Sequence, residues 1–409
     1  MTKAEQQFLS ILKKAVHSDS SGTIENPDWT GILSAARKQN LLALIFDASQ
    51  NIPGYEAIES KYFQPVATQM SIQMQKTTDF LQLYQAFLSD GLSPLALKGI
   101  ICRNLYGARA DFRASGDEDL LISKEDYDET AKTLNRCGYQ AEDMPDSGLE
   151  LIQEVTFKNP KSPLTIELHL NPFGTDNDFC VKMNEWFRNV FDGDEIIVID
   201  GVPIRTLEPT DHMLFLIFHD FKHFTGGGFG IRLMLDTLLF AKRYYNRIHW
   251  EYIDKALEDT GIAPVYADMV SIGNKYLGFD LPERYTTTCP DELLEDMLRM
   301  GIFGNSTKAD TTAWTMVGNA VQGADGAEKK AARGGRVRSI FRYLFPSWRT
   351  WKVWRPYLKD KPWMLPAEWC KRVGRYLRKE TPTHNLSEIN ESYAIAEHRL
   401  ELLRKYKVM

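Results

Sequence analysis

The chain has 409 residues, with an apolar share of 43% and a charged share of 25%. That supplies a sizeable core and excludes a disordered or fibrous polypeptide. The net charge of −6 excludes a globally basic nucleic-acid binder, although the segment Lys329–Arg378 is strongly basic. Cys102, Cys137, Cys180, Cys289 and Cys370 lie far apart with no CxxC, so they read as reduced thiols of a cytosolic protein and not as a disulfide frame or zinc site.

The opening MTKAEQQFLSILKKAV is amphipathic, placing Phe8, Ile11, Leu12 and Ala15 on one helical face. It lacks the apolar core and cleavage site of a signal peptide. No apolar run approaches bilayer-spanning length. Asn26-Pro27-Asp28 then punctuates, and either Asn26 or Asp28 suits the cap of a helix turning Trp29, Ile32, Leu33 and Ala36 inward. A long helix is predicted from about Lys61 to Ser89, ending at Asp90-Gly91. Residues 1–91 thus form a helical N-terminal region.

The texture changes at Leu92. SPLALKG suits a short strand, IICRNLYG a short helix, GDEDLLIS a strand, and KEDYDETAKTLNRCG a helix stopped by Gly138. EVTFKNP and PLTIELHL pair as strands across the Asn159–Pro163 turn, and IIVIDGVPIRTL is a hairpin turning at Asp200-Gly201. Residues 92–207 therefore form a small mixed-sheet core. Residues 208–325 read as a helical domain and 326–409 as a basic, Trp-rich helical C-terminal region. The fold class is α+β, a small sheet flanked by helical regions.

Asp117 and Asp119 sit at the mouth of the GDEDLLIS strand. Residues two apart on a strand point the same way, and paired carboxylates repel unless a cation relieves them. Hard oxygen donors with open positions suit Mg²⁺ shared with substrate phosphates. Glu167, inside PLTIELHL, joins the site if its strand is a neighbour. Three acids can hold two ions ~4 Å apart for displacement at phosphorus. The plain alternative is that a D-x-D is common at turns and strand ends.

Lys98-Gly99, then RASGDEDLLI at 113–122, then Ile166-Glu167-Leu168-His169 resemble the nucleotidyltransferase superfamily that shares the DNA polymerase β palm. The closest resemblance is to the bacterial group described as uncharacterised nucleotidyltransferases. Cys137-Gly138-Tyr139, Leu207-Glu208-Pro209-Thr210-Asp211, His219 with His223, and Leu235-Asp236-Thr237-Leu238-Leu239 continue it through most of 92–245. The tail stretches FPSWR and KPWMLPAEW also resemble that group. The resemblance implies that Asp117, Asp119 and Glu167 are the catalytic and metal-binding acids. It implies two Mg²⁺ ions, with Mn²⁺ as a substitute, and NMP transfer from an NTP to an acceptor hydroxyl. Lys98 and Gly99 stand where the superfamily has a glycine-serine at a helix start. Gly99 there permits close backbone approach, and Lys98 or Arg113 offers charge to phosphate. Gly116, His219, His223, Arg232 and Asp236 complete the nucleotide-side candidates.

His212, His219 and His223 share one helix side, and His219-Asp220 mimics the HD dipeptide of metal phosphohydrolases, with Asp236 as a distant ligand. That alternative needs a first histidine on another helix. A buried polar network between two helices is an equally good reading. In residues 338–378, Arg338, Arg342, Arg349, Lys352 and Arg355 interleave with Tyr343, Trp348, Trp351 and Trp354. Such a pattern stacks on nucleic acid, lies at a membrane surface, or simply anchors the segment to its own domain. A catalytically inactive nucleotide- or partner-binding module of the same fold is the remaining alternative. The acceptor, whether sugar, small molecule, protein or RNA, is left open.

Overall fold

The computed structural model describes residues 1–17, 24–142, 152–175, 178–226, 229–301, 345, 356–359, 361–377 and 386–407. Its contacts define two compact units, Met1–Phe221 with Ile231–Leu298, and Lys222–Gly230 with Arg299–Met409.

The first unit opens with α1 (Lys3–His17), α2 (Trp29–Lys38), α3 (Leu42–Ala48) and α4 (Tyr55–Ser89). Phe8, Ile11, Leu12 and Ala15 are all buried on α1. Asp28 caps α2 by accepting from the Gly31 amide at 3.1 Å. Ile32, Leu33 and Ala36 are buried there, whereas Trp29 is only half-buried because its indole N–H reaches out to the Pro53 carbonyl. The fourth helix starts at Tyr55, earlier than the predicted Lys61, and carries Pro65 inside it.

Seven strands follow: β1 (Leu95–Ala96), β2 (Glu118–Leu121), β3 (Gln140–Ala141), β4 (Glu154–Lys158), β5 (Thr165–His169), β6 (Glu195–Ile199) and β7 (Val202–Thr206). They form one mixed sheet in the order β3-β4-β5-β2-β1-β7-β6. Both predicted hairpins are present as antiparallel pairs, with Asp200 at φ 47° and Gly201 at φ 81° in the β6–β7 turn. The short β3 was not expected. It follows α6 (Tyr127–Arg136) and pairs with β4 at Gln140 and Ala141.

One face of the sheet is apolar. Ala96, Leu120, Val155, Phe157, Ile166 and Leu168 pack there with Phe80, Leu83, Tyr84 and Phe87 of α4 and Leu134 of α6. Because side chains alternate along a strand, Asp119, Glu167 and His169 belong to the opposite face. The sheet side that makes the core thereby fixes which residues are left for the site.

Two long helices follow the sheet in sequence, α8 (Pro209–Gly226) and α9 (Ile231–Tyr244). Further helices are α10 (Trp250–Thr260), α11 (Ala263–Ile272) and α12 (Pro290–Met300). In the second unit, helices span Leu365–Leu377 and Leu386–Lys405. There Arg399 is buried, its guanidinium 5.7 Å from the Phe224 ring, while Tyr406 meets that ring edge-on at 5.6 Å. The basic and aromatic residues singled out in the run at 338–378, Arg338, Arg342, Tyr343, Trp348, Arg349, Trp351, Lys352, Trp354 and Arg355, lie outside the described residues. No described helix is long and apolar enough to cross a membrane.

Candidate active site

β2 and β5 are parallel neighbours, and their register sets Asp119 directly beside Glu167. The next pair on the same face is Leu121 with His169, and β4 places Glu154 opposite His169. The His169 Nε2 stands 3.0 Å from Asp119 Oδ1, 3.5 Å from Glu154 Oε2 and 3.9 Å from Glu167 Oε2. Ligand atoms of Asp119, Glu167 and His169 all lie within 4.8 Å of one another, the one such set of metal-ligand type among the described residues. Asp119 Oδ2 is buried with no hydrogen-bond partner, which is the condition a cation would relieve.

The trio differs from the expected one. Asp117 precedes the first paired residue of β2 and is partly exposed. Its carboxylate is absent from the converging set and acts on Lys98 and Glu167 through charge. His169 takes the third position. The signal for it was in the sequence, because the period of two that pairs Asp117 with Asp119 also pairs Glu167 with His169.

Electrostatics divides the acids. Burial would raise the Asp119 carboxyl, but the Lys98 ammonium and the His169 contact outweigh it and hold Asp119 well below the usual carboxylate range. Burial pushes Glu167 up to about 8, with Asp119, Asp117 and Glu154 adding to the shift. Lys98 Nζ lies 3.0 Å from Asp119 Oδ1 and 2.9 Å from His219 Nε2. Burial opposes its charge, but Asp119, Asp117 and Glu167 together raise its pKa.

The helix start after Lys98 is not open to phosphate as expected. Gly99 has φ 55° and precedes α5 (Ile100–Asn104), only five residues long. The Ile100 amide donates to Glu118 Oε2 at 2.6 Å, and the other Glu118 oxygen accepts from buried Arg103 at 2.5 Å. Glu118, the middle residue of the D-x-D, thus turns to the other face of β2 and occupies the place where a phosphate was expected. Sequence reading missed this pair, since an acid between two aspartates looks like part of the same charge cluster.

The loop before β2 is fixed from α4. Lys76 Nζ donates to the Ser115 and Gly116 carbonyls, both at 2.9 Å, and the Ser115 amide donates to Gln73 Oε1 at 2.9 Å. Gly116 itself is exposed, with open space where a Cβ would be.

Arg113 and Asp236 form a buried two-point pair, at 3.2 and 2.6 Å, and Tyr106 donates its hydroxyl to Asp236 Oδ1 at 2.8 Å. Arg232 donates to the Ala114 carbonyl at 2.6 Å. Burial and the nearby Arg113 pull its pKa down to about 10. Arg113, Asp236, Tyr106 and Arg232 therefore form a polar network at the loop before β2, and none of them belongs to the converging set.

His219 reaches Lys98, but His212 is fully buried, 3.2 Å from the Thr206 hydroxyl and tilted against the Phe240 ring at 4.6 Å. Burial lowers it to about 4. Asp220 accepts from Thr237 at 2.7 Å, and burial lifts it to about 8. His223 lies a turn beyond His219 in the segment counted with the second unit. None of these residues belongs to a metal-competent set among the described residues, so the HD-type phosphohydrolase reading lacks its ligand sphere.

A family model described as uncharacterised nucleotidyltransferase matches residues 25–278. No curated protein matches, and no solved structure matches. The matched span runs from the N-terminal helices through the whole sheet and both histidine-side helices, which places Asp119, Glu167 and the acid-bearing strands inside it: the chain belongs to the uncharacterised nucleotidyltransferase family.

Proposed function

We propose that the protein transfers a nucleoside monophosphate from an NTP to an acceptor hydroxyl, with release of pyrophosphate. The observation that carries this reading is the register of β2 and β5, which sets Asp119 and Glu167 side by side. The residues fit a divalent ion, since the Asp119 carboxylate is ionised and one of its buried oxygens has no partner. Asp119 and Glu167 would hold the ion, with Asp117 at the loop edge meeting the triphosphate side. When bound, divalent ions supply charge neutralisation on the triphosphate and a lowered pKa for the acceptor hydroxyl.

The chain's own groups account for the remaining steps. The acceptor oxygen forms a bond to the α-phosphorus, the bond from that phosphorus to the β-phosphate oxygen breaks, and pyrophosphate leaves. The acceptor proton passes to the Glu167 carboxylate, whose high intrinsic proton affinity suits a general base. In the metal-free protein the His169 Nε2 lies 3.0 Å from Asp119 Oδ1 and holds that carboxyl in place. Lys98, on the same carboxylate, can turn to the departing phosphates as the negative charge moves there.

Incubation with each labelled NTP, Mg²⁺ or Mn²⁺ and a cell extract tests this, reading pyrophosphate release and the position of the label. Asp119→Asn should abolish transfer with the fold intact. Retained activity in that variant overturns the assignment.

A second reading is favoured by one observation, the closure of the Gly99 helix start by Glu118. In it, the protein keeps the fold as a nucleotide- or partner-binding module without turnover. Calorimetry with NTP and Mg²⁺, followed by the pyrophosphate assay, separates the two: binding without release belongs to the module.

A further inference from the structure

We propose that His169 is a direct metal ligand through Nε2, and that this nitrogen makes the site selective for Mn²⁺-type ions over Mg²⁺. The inference rests on the reading that Asp119 and Glu167 hold a divalent ion, and it adds the identity of the third donor and the class of ion.

His169 is 3% exposed, held by β5 between β2 and β4. Oxygens of Asp119, Glu154 and Glu167 all approach its Nε2, at 3.0, 3.5 and 3.9 Å. A single N–H directs one strong hydrogen bond along its axis. Three carboxylates around one imidazole nitrogen are more than that bond requires, and they are the surroundings of a cation with mixed donors. Donors at about 2.1 Å from an octahedral ion stand roughly 3 Å apart when adjacent and 4 Å when opposite. The Asp119, Glu167 and His169 ligand atoms, within 4.8 Å of one another, need only a small closure to meet that spacing.

Asp119 Oδ2 supplies the independent sign of a missing partner, being buried and without a hydrogen bond. His169 Nδ1 is likewise unpartnered, and it remains so whether Nε2 carries a proton or a metal, so it does not decide between the roles. Glu154 Oε2 already accepts from the Gln153 side-chain Nε2 at 2.9 Å and does not belong to the converging set.

The donor set decides the ion. Mg²⁺ is a hard ion that favours oxygen and water. Imidazole nitrogen favours the first-row transition ions, and a mixed carboxylate–imidazole set suits Mn²⁺ and its neighbours in the series.

The test loads the full chain with Mn²⁺ alone and records pulsed electron paramagnetic resonance. Wild type should show nitrogen-14 coupling to the bound ion, and protein grown with nitrogen-15 histidine should show the coupling replaced by that of nitrogen-15. His169→Gln should lose the coupling while still binding Mn²⁺ through Asp119 and Glu167, roughly 10–100-fold more weakly. In competition calorimetry, wild type should prefer Mn²⁺ over Mg²⁺ by at least about tenfold, and His169→Gln should lose most of that preference. Mn²⁺ bound without nitrogen coupling overturns the inference and leaves His169 as the hydrogen-bond partner of Asp119, with the proposed function intact. Coupling that persists in His169→Gln assigns the nitrogen elsewhere and also overturns it. If wild type binds no Mn²⁺, the metal-dependent function falls together with the inference. The labelled wild-type spectrum needs no substitution, so a variant that fails to fold does not block the result.

Discussion

Gly99 and Glu118 share one space: a Cβ on Gly99 would stand 1.9 Å from Glu118 Oε2. The glycine is required twice over, by its φ of 55° and by the carboxylate seated against it. Gly99→Ala is expected to displace Glu118 from the Ile100 amide and from Arg103, at a cost of roughly 3 kcal/mol or more. Glu118→Gln should also destabilise the fold, by about 3–5 kcal/mol, because it leaves Arg103 charged and buried without its counter-ion. Denaturant unfolding checks both. A neutral Glu118→Gln would show that the carboxylate is not the structural partner.

Lys98 and a bound divalent ion compete for the Asp119 carboxylate. Lys98→Met should therefore bind Mn²⁺ more tightly in the absence of nucleotide, by roughly tenfold for one lost charge contact. The same variant should bind NTP more weakly, because the ammonium that turns to the phosphates is gone. Calorimetry with metal alone and then with nucleotide reads the two effects separately. Weaker metal binding in the first titration would mean that Lys98 holds Asp119 in place and does not compete with the ion.

Metal binding should depend on pH through Glu167. Its carboxyl titrates at about 8, so at pH 6 and 7 it is mostly protonated in the metal-free protein and must lose that proton to ligate. Apparent Mn²⁺ affinity is expected to rise by about tenfold per pH unit up to pH ~8 and then level off. Glu167→Gln should flatten the profile. A wild-type affinity that is level between pH 6 and 9 contradicts the elevated proton affinity.

Arg113 and Asp236 should matter for stability and not for nucleotide affinity, since they pair with each other. Arg113→Met alone should cost about 3–5 kcal/mol by stranding a buried carboxylate. Arg113→Met with Asp236→Leu should recover much of that loss, short of full recovery because the Tyr106 hydroxyl then lacks its acceptor. Thermal unfolding and NTP titration of both variants decide the matter. Nucleotide affinity that falls in the refolded double variant would restore these residues to the binding site.

Much of the site was legible because strands carry a simple code. Alternation along IELH and DEDLL, with the guess that the two strands are neighbours, was enough to bring Glu167 to Asp119. The same code extended by one step gives His169. What sequence could not show was where pairing begins. Asp117 falls just outside β2, and that boundary removes it from the converging trio. Long-range partners were also hidden: Arg113 with Asp236, Arg103 with Glu118 and Lys98 with His219 are separated by 123, 15 and 121 positions. Nothing local in the chain encodes which basic residue meets which acid. Helix faces read well where apolar spacing was regular, as on α1, and less well at ends such as Trp29, where a polar edge group competes with burial.

The clasp between α4 and the loop ahead of β2 bears on how this protein can be dissected. The ammonium of Lys76 and the amide of Gln73 seat Ser115 and Gly116, yet both residues come from the region upstream of the first strand. A fragment trimmed to begin at β1 would retain every acid and lose the fastening that aims them. The minimal working piece is thus longer than the sheet itself, and truncation mapping that starts from the acidic motif would discard its support.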